Sequence, residues 1–312
     1  MEKTTAISQR AKKMKIGIAL GGGGAKGLAH IGVIKVLEEH GIFPHIVSGT
    51  SIGALIGALY CLHGNIATVE EFALHFENAS LYPYVAPRPS SSGLISEKRI
   101  KKFLIETFGQ TRIEELSKPF FCPAVDIRNG QEVIFEKGNL AAAVLASISI
   151  PVIFKPQRWQ SRYLVDGGLI NPVPVDILKK SGATFTIAVN IITPRPLRPR
   201  RKKPPLGKEK LLLARLESFL SRRLIYDRQN LKPNFIEVFL STMEIMQQKL
   251  IAARLQNDAP DVTIHIDTQD FKLFEFYRPA AIIRRGEETA RREIKTVLSR
   301  WQQRLAEDKS KN

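Results

Sequence analysis

Residues Gly49-Thr50-Ser51-Ile52-Gly53 match the pattern G-x-S-x-G. So short a pattern takes its weight from its setting. The apolar run from His45 to Ser48 reads as a strand, and Ser51 to Leu62 reads as a helix. A serine on the sharp turn between a strand and a helix is the arrangement of a nucleophile elbow. Side chains at Gly49 or Gly53 would collide with their neighbours in so tight a turn, which pushes the Ser51 hydroxyl clear of the sheet. Ser51 also lies at a helix N-terminus, where the positive end of the dipole favours a developing oxyanion. The bland alternative is that Ser51 is an N-cap, since serine is a preferred capping residue.

A second feature, Gly21 to Gly24 followed by Ala25-Lys26-Gly27, comes directly after the apolar run Lys15–Leu20. Glycine-rich turns leave backbone N–H groups free to face an anion, and Lys26 adds positive potential. Gly22, Gly24 and Gly27 also fit the dinucleotide pattern G-x-G-x-x-G. The next strand, however, ends in Val47-Ser48-Gly49 and lacks the acidic residue that would hold a ribose. An oxyanion hole uses the same backbone physics on a smaller anion. A third feature, Asp166-Gly167-Gly168 at a strand end, is by itself a turn signal.

In this order and setting, the three motifs resemble the patatin-like phospholipase family. Gly22-Gly23-Gly24-Ala25-Lys26-Gly27 stands for the oxyanion loop, Gly49 to Gly53 for the nucleophile, and Asp166-Gly167-Gly168 for the acidic partner. Ala146-Ser147 through Pro151 and Phe154 resembles the family's segment leading into that last turn, and Asn171-Pro172-Val173-Pro174-Val175 resembles the segment leading out of it. The resemblance covers roughly residues 16–193. It implies a Ser51–Asp166 dyad hydrolase of lipid acyl esters that works without metal or other cofactor. The expected oxyanion donors are N–H groups among Gly22, Gly23, Gly24 and Ile52. Lys26, Gly27, Gly49, Gly53, Gly167 and Gly168 support the motifs.

A solvated aspartate, with a pKa near ~3.9, is a poor acceptor for a serine proton, so the dyad requires a desolvated Asp166. That requirement keeps a rival open: Ser51, Asp166 and His265 fall in the chain order of an α/β-hydrolase triad. His30 is read as a residue on a helix face, and Asp126 as a group that stabilises a turn.

The elements around these residues alternate strand and helix. Helical spacing runs over 26–40, and Thr68-Val69-Glu70-Glu71 reads as a capping box opening a helix to about Asn78. Residues 80–95 read as a loop and 97–108 as a helix. Strands are expected at 120–127 and 132–135, joined by an Asn129-Gly130 turn, with a helix over 141–147. Further strands are expected at 163–165, 184–191 and 262–267, and helices at 209–225, 232–256 and from Pro279 onward. This alternation predicts an α/β three-layer sandwich, with a mostly parallel central sheet flanked by helices, patatin-like in outline. Residues 1–14 form a basic tail, 15–193 the catalytic core, and 194–208 a Pro/Arg/Lys-rich linker or loop. Residues 209–312 form a mostly helical region packing on that core.

The chain of 312 residues is 44% hydrophobic and 25% charged, which suits a globular protein and excludes a mainly disordered, collagenous or coiled-coil one. Its formal charge of +17 is concentrated: residues 194–210 hold eight basic side chains against Glu209, and residues 1–15 hold five against Glu2. Such segments suit an anionic partner. Residues 194–224, where the basic run leads into a leucine-rich stretch, are a candidate contact with an anionic membrane surface. The run has no aromatic residues for stacking on bases, so no nucleic acid is expected. Cys61 and Cys122 form no CxxC pair, consistent with a cytoplasmic protein, soluble or peripheral to the inner face of a membrane. The oligomeric state is not encoded in any of these features.

Overall fold

The computed structural model describes residues 14–75, 97–193 and 235–310. Residues 1–13 of the basic tail, the 80–95 loop, the 194–208 linker and the 209–225 helix lie outside these residues.

The first strand, β1 (Ile16–Leu20), is buried throughout and runs into the glycine loop. The segment expected to be helical over 26–40 begins as a 3-10 turn, Gly24–Leu28, and becomes helix α1 only at Ala29–Glu39. Strand β2 (Ile46–Gly49) leads into α2 (Ile52–His63), which ends at Gly64 in the left-handed conformation. The capping box at Thr68 does not form. Helix α3 (Ile66–Leu74) starts earlier and is capped by Asn65, whose side chain accepts the Thr68 N–H. The earlier start places Ile66, Val69 and Ala73 on one buried face.

Next come α4 (Glu97–Phe108), the hairpin of β3 (Phe120–Asp126) and β4 (Glu132–Phe135), and α5 (Leu140–Ser147). A short strand β5 (Gln157–Trp159), not evident from the sequence, pairs with β6 (Arg162–Asp166). Helix α6 (Val175–Lys180) and β7 (Phe185–Asn190) come after it. Beyond the next undescribed stretch are α7 (Phe235–Asn257), β8 (Val262–His265) and α8 (Pro279–Ser310).

The sheet order is β5-β6-β3-β2-β1-β7-β8, with β4 also on β3. Strands β3, β2, β1, β7 and β8 are parallel neighbours, whereas β4, β5 and β6 close one end antiparallel. Gly17 of β1 faces Leu178 of α6 on one side of the sheet, and Gly57 of α2 lies on Val47 and Phe120 on the other. Helices thus cover both faces, giving the three layers. Strand β8 pairs with β7, so the chain beyond residue 209 contributes to the central sheet as well as to the helical layers.

Helix α8 holds α1 in place. Ile282, Ala290 and Val297 are buried along it, and Gly286 passes so close to Ala29 that an added Cβ would overlap the Ala29 carbonyl oxygen. Gly286→Ala is therefore expected to force the two helices apart and to cost at least about 2 kcal/mol, measured by urea unfolding. A variant as stable as the parent would contradict this packing.

Candidate active site

Ser51 sits between β2 and α2 with φ 57° and ψ −123°. A non-glycine residue with positive φ costs on the order of 1–3 kcal/mol and persists only where its surroundings enforce it. The enforcement is visible here. Gly49 lies against the carbonyl of Gly53, and Gly53 against that of Leu20, each too close for a Cβ. The Ser51 N–H donates to Ser147 Oγ at 3.1 Å, and Thr50 N–H donates to Leu20 O at 3.0 Å. Ser51 occupies the N-cap position but makes no capping bond. Its hydroxyl donates instead to Asp166 Oδ2 at 2.5 Å, so the N-cap reading fails.

Asp166 ends β6, and its backbone N–H donates to Ser149 O at 2.9 Å. Its Oδ1 accepts the Gly168 N–H at 2.7 Å. The residue is 2% exposed. Burial pushes its pKa from an ordinary 3.8 up to about 6, against the opposing pull of the hydrogen bonds from Ser51 and Gly168. The desolvation that a serine–aspartate pair requires is thus present.

In the glycine loop most donors are already used. Gly21 N–H donates to Val189 O at 3.1 Å, Gly22 N–H to Pro172 O at 3.0 Å, and Ala25 N–H to Leu273 O at 2.7 Å. Gly22 therefore cannot serve an oxyanion, contrary to the sequence expectation, because its donor holds the loop to the chain beyond Gly168. Among the described residues, the N–H groups of Gly23, Gly24 and Ile52 have no acceptor. Gly22 instead packs on Ser51, where an added Cβ would come 3.4 Å from the serine Cβ. Lys26 is less a free positive charge than expected, since its Nζ pairs with Glu244 of α7 at 2.9 Å.

Three side chains that motif matching did not assign complete the support. His30 is fully buried, and its Nε2–H donates to the Gly21 carbonyl at 2.8 Å. Burial lowers its pKa to about 4, so the ring is neutral near pH 7, with Nδ1 unprotonated and unpartnered. It lies on a face of α1, as expected, and that face turns it onto the glycine loop, for which it is a positioning residue. Thr50 Oγ1 donates to Asn171 O at 2.7 Å and Ser48 Oγ to Pro174 O at 2.8 Å. With the bond from Gly22 to Pro172, the carbonyls of residues 171–174 tie the elbow and the glycine loop to the segment after Asp166.

His265 is not part of this cluster. It sits on the edge strand β8, three strand spacings or roughly 14 Å across the sheet from β2. Its Nδ1 accepts from Asn190 Nδ2 at 3.2 Å. No imidazole fits between Ser51 and Asp166, which are in direct contact, so the triad reading is overturned. Asp126 is a turn group: its Oδ1 accepts the Arg128 N–H and its carbonyl the Gly130 N–H. Among the described residues no cluster of His, Cys, Asp and Glu has the makings of a metal site, and no helix is long and apolar enough to cross a membrane. Cys61 and Cys122 are free and buried.

The family model for patatin-like phospholipase matches residues 18–179, a span containing all three motifs. An uncharacterized NTE family protein of Mycobacterium tuberculosis is 33% identical over 177 residues, 57% of this chain and 49% of its own. A lysophospholipase of Scheffersomyces stipitis is 36% identical over 180 residues, 56% of this chain and 12% of its own. The neuropathy target esterase of Drosophila melanogaster is 36% identical over 182 residues, 56% of this chain and 13% of its own. The matched region is thus about half of the mycobacterial relative and about an eighth of the other two. Among solved structures, VipD from Legionella pneumophila aligns over 91% of this chain and 67% of its own, at 13% identity and a TM-score of 0.47.

Because the pKa of Asp166 is raised in the folded state, the fold favours its protonated form. The group's full contribution to stability is present below 3.8, is lost as pH climbs through about 6, and is then lower by roughly 3 kcal/mol. Asparagine keeps an oxygen for the Gly168 N–H and an amide donor for the Ser51 oxygen, without the charge. Asp166→Asn is therefore expected to be more stable than the parent by about 2–3 kcal/mol at pH 8 and to lose that advantage near pH 4, read from urea unfolding at both pH values. Equal stabilities at pH 8 would contradict the desolvated carboxylate.

Proposed function

Because the chain belongs to the patatin-like phospholipase family, we propose that it is a serine hydrolase that cleaves the acyl esters of lipids, with Ser51 as nucleophile and Asp166 as its base. The observation that carries this reading is the 2.5 Å hydrogen bond from the Ser51 hydroxyl to a buried carboxylate. Ser51 Oγ attacks the ester carbonyl carbon while its proton passes to Asp166 Oδ2. The carbonyl oxygen becomes an oxyanion, which the free N–H groups of Gly23, Gly24 and Ile52 receive, each such donor being worth on the order of 3 kcal/mol. The ester C–O bond breaks, and the leaving alcohol takes the proton from Asp166. Water then attacks the acyl-serine, giving its proton to Asp166, and the fatty acid departs as Ser51 recovers its hydrogen. Every step uses side chains, backbone N–H groups and water.

Burial makes Asp166 a better base. Raising its pKa from 3.8 to about 6 reduces the mismatch with a serine hydroxyl by roughly 3 kcal/mol. The activities for which the relatives are named, lysophospholipase and esterase, support single-chain lipid esters as the substrates to try first. Adsorption to the inner face of an anionic membrane through residues 194–224 is part of the proposal, each Lys or Arg near such a surface contributing about 1 kcal/mol.

The test is a serine-reactive fluorophosphonate probe together with a panel of lipid esters. The parent is expected to label and to hydrolyse a lipid ester, and Ser51→Ala to do neither. The parent kcat/KM is expected to fall about tenfold per pH unit below about 6, as the base becomes protonated. Absence of labelling in the folded parent would turn the reading toward a binding protein of this fold. Hydrolysis surviving Asp166→Asn would remove the dyad.

A further inference from the structure

Helix α7 reverses much of the usual pattern of a surface helix. Phe235, Val238, Thr242, Ile245, Met246 and Lys249 recur at helical spacing along its outward strip. The four large apolar side chains among them are between 48% exposed at Val238 and 73% at Phe235. Its inward side is rich in polar contacts instead. Glu244 pairs with Lys26 at 2.9 Å, Gln247 donates to Gly168 O at 3.1 Å, Gln248 donates to Thr193 O at 3.3 Å, and Arg254 faces Asp176 at 3.7 Å. Ile251 is the helix's one buried residue, and Ile236, Leu240 and Leu255 are partly buried against the core.

A helix that turns so many polar groups inward and large apolar groups outward departs from ordinary amphipathic burial, and a large exposed apolar strip marks an interaction site. One turn of α7 touches both the glycine loop, through Lys26, and the Asp166 turn, through Gly168. The strip therefore lies on the outer side of the helix that covers the site, where Ser51 is only 5% exposed. Its charge selects the partner: the strip holds one cation, Lys249, and no acidic residue, and the helix comes after a stretch with eight basic residues against one over 194–210.

We infer that the outward strip of α7 docks in the plane of an anionic lipid surface, setting its apolar side chains among the acyl chains and Lys249 at the headgroups. This rests on the lipid-ester reading for its choice of partner. It assigns lipid contact to a folded element beside the site, in addition to the basic segment upstream. An interfacial helix of this kind binds through apolar area and electrostatics together. Lipid docked there lies across α7 from the loops that hold Ser51 and Asp166.

The experiment is co-sedimentation of the full chain carrying Ser51→Ala with vesicles of phosphatidylcholine and phosphatidylglycerol, at low and at high salt. Adding Val238→Gln, Ile245→Gln and Met246→Gln is expected to weaken partitioning at least about tenfold at both salt concentrations, with the melting temperature unchanged. Lys249→Glu is expected to weaken it only at low salt. Equal partitioning of the parent and the triple variant would overturn the inference, as would a parent that ignores vesicles. It would also fail if the strip joined two copies of the chain, seen as a dimer that the triple variant dissociates without any vesicle binding. The Ser51→Ala protein reads docking alone, so docking without turnover in the intact enzyme would sink the hydrolase reading and leave this one standing.

Discussion

The proposed site depends on holding the Asp166 carboxylate out of water, against the Ser51 hydroxyl and the Gly168 N–H. Removing a carboxylate from water without a full set of partners favours its neutral form, and its pKa of about 6 records how far the two hydrogen bonds fall short of offsetting that. The same shortfall is useful. An aspartate in water has too little affinity for a proton to draw one from serine, and desolvation restores part of it. Ser51 adds backbone strain of its own at φ 57°. Both costs sit on a rigid base of buried strands, β1, β2 and β7.

The topology explains where such a site arises. From β1 the chain passes to β2 on one side, while β7 lies on the other side of β1. The loops leaving β1 and β2 therefore meet at the carboxyl ends of parallel strands, where open α/β sheets form their crevices. Asp166 arrives from the antiparallel end through β6, which pairs with β3. The segment 171–174 then ties these parts together, since its carbonyls accept from Gly22, Thr50 and Ser48. A shift in that segment would move the glycine loop and the elbow together.

Legibility in the sequence tracks the range of the forces involved. The elbow was legible because its constraint is steric and local: Gly49 and Gly53 are within a few residues of Ser51. The buried strands, the Asn129-Gly130 hairpin turn and the helix beginning at Pro279 carried equally local signals. The distribution of donors in the glycine loop was not legible, because the acceptor for Gly22 is Pro172, far along the chain. His30 escaped because its partner Gly21, nine residues back, comes within reach through the 3-10 turn between them. At Thr68 a sound local motif lost to burial: capping at Asn65 lets Ile66 and Val69 face the core. The pairing of Lys26 with Glu244, across more than two hundred residues, had no local signature at all.

The protonation state of Asp166 is the quantity on which the proposed chemistry turns, and infrared difference spectroscopy of the parent against Asp166→Asn reads it through the carboxyl stretch of that one residue. A desolvated Asp166 requires the protonated band to disappear with a midpoint near pH 6. A midpoint at the ordinary 3.8 would mean that the carboxylate is as well solvated as in water, and the case for its drawing the proton from Ser51 would fall.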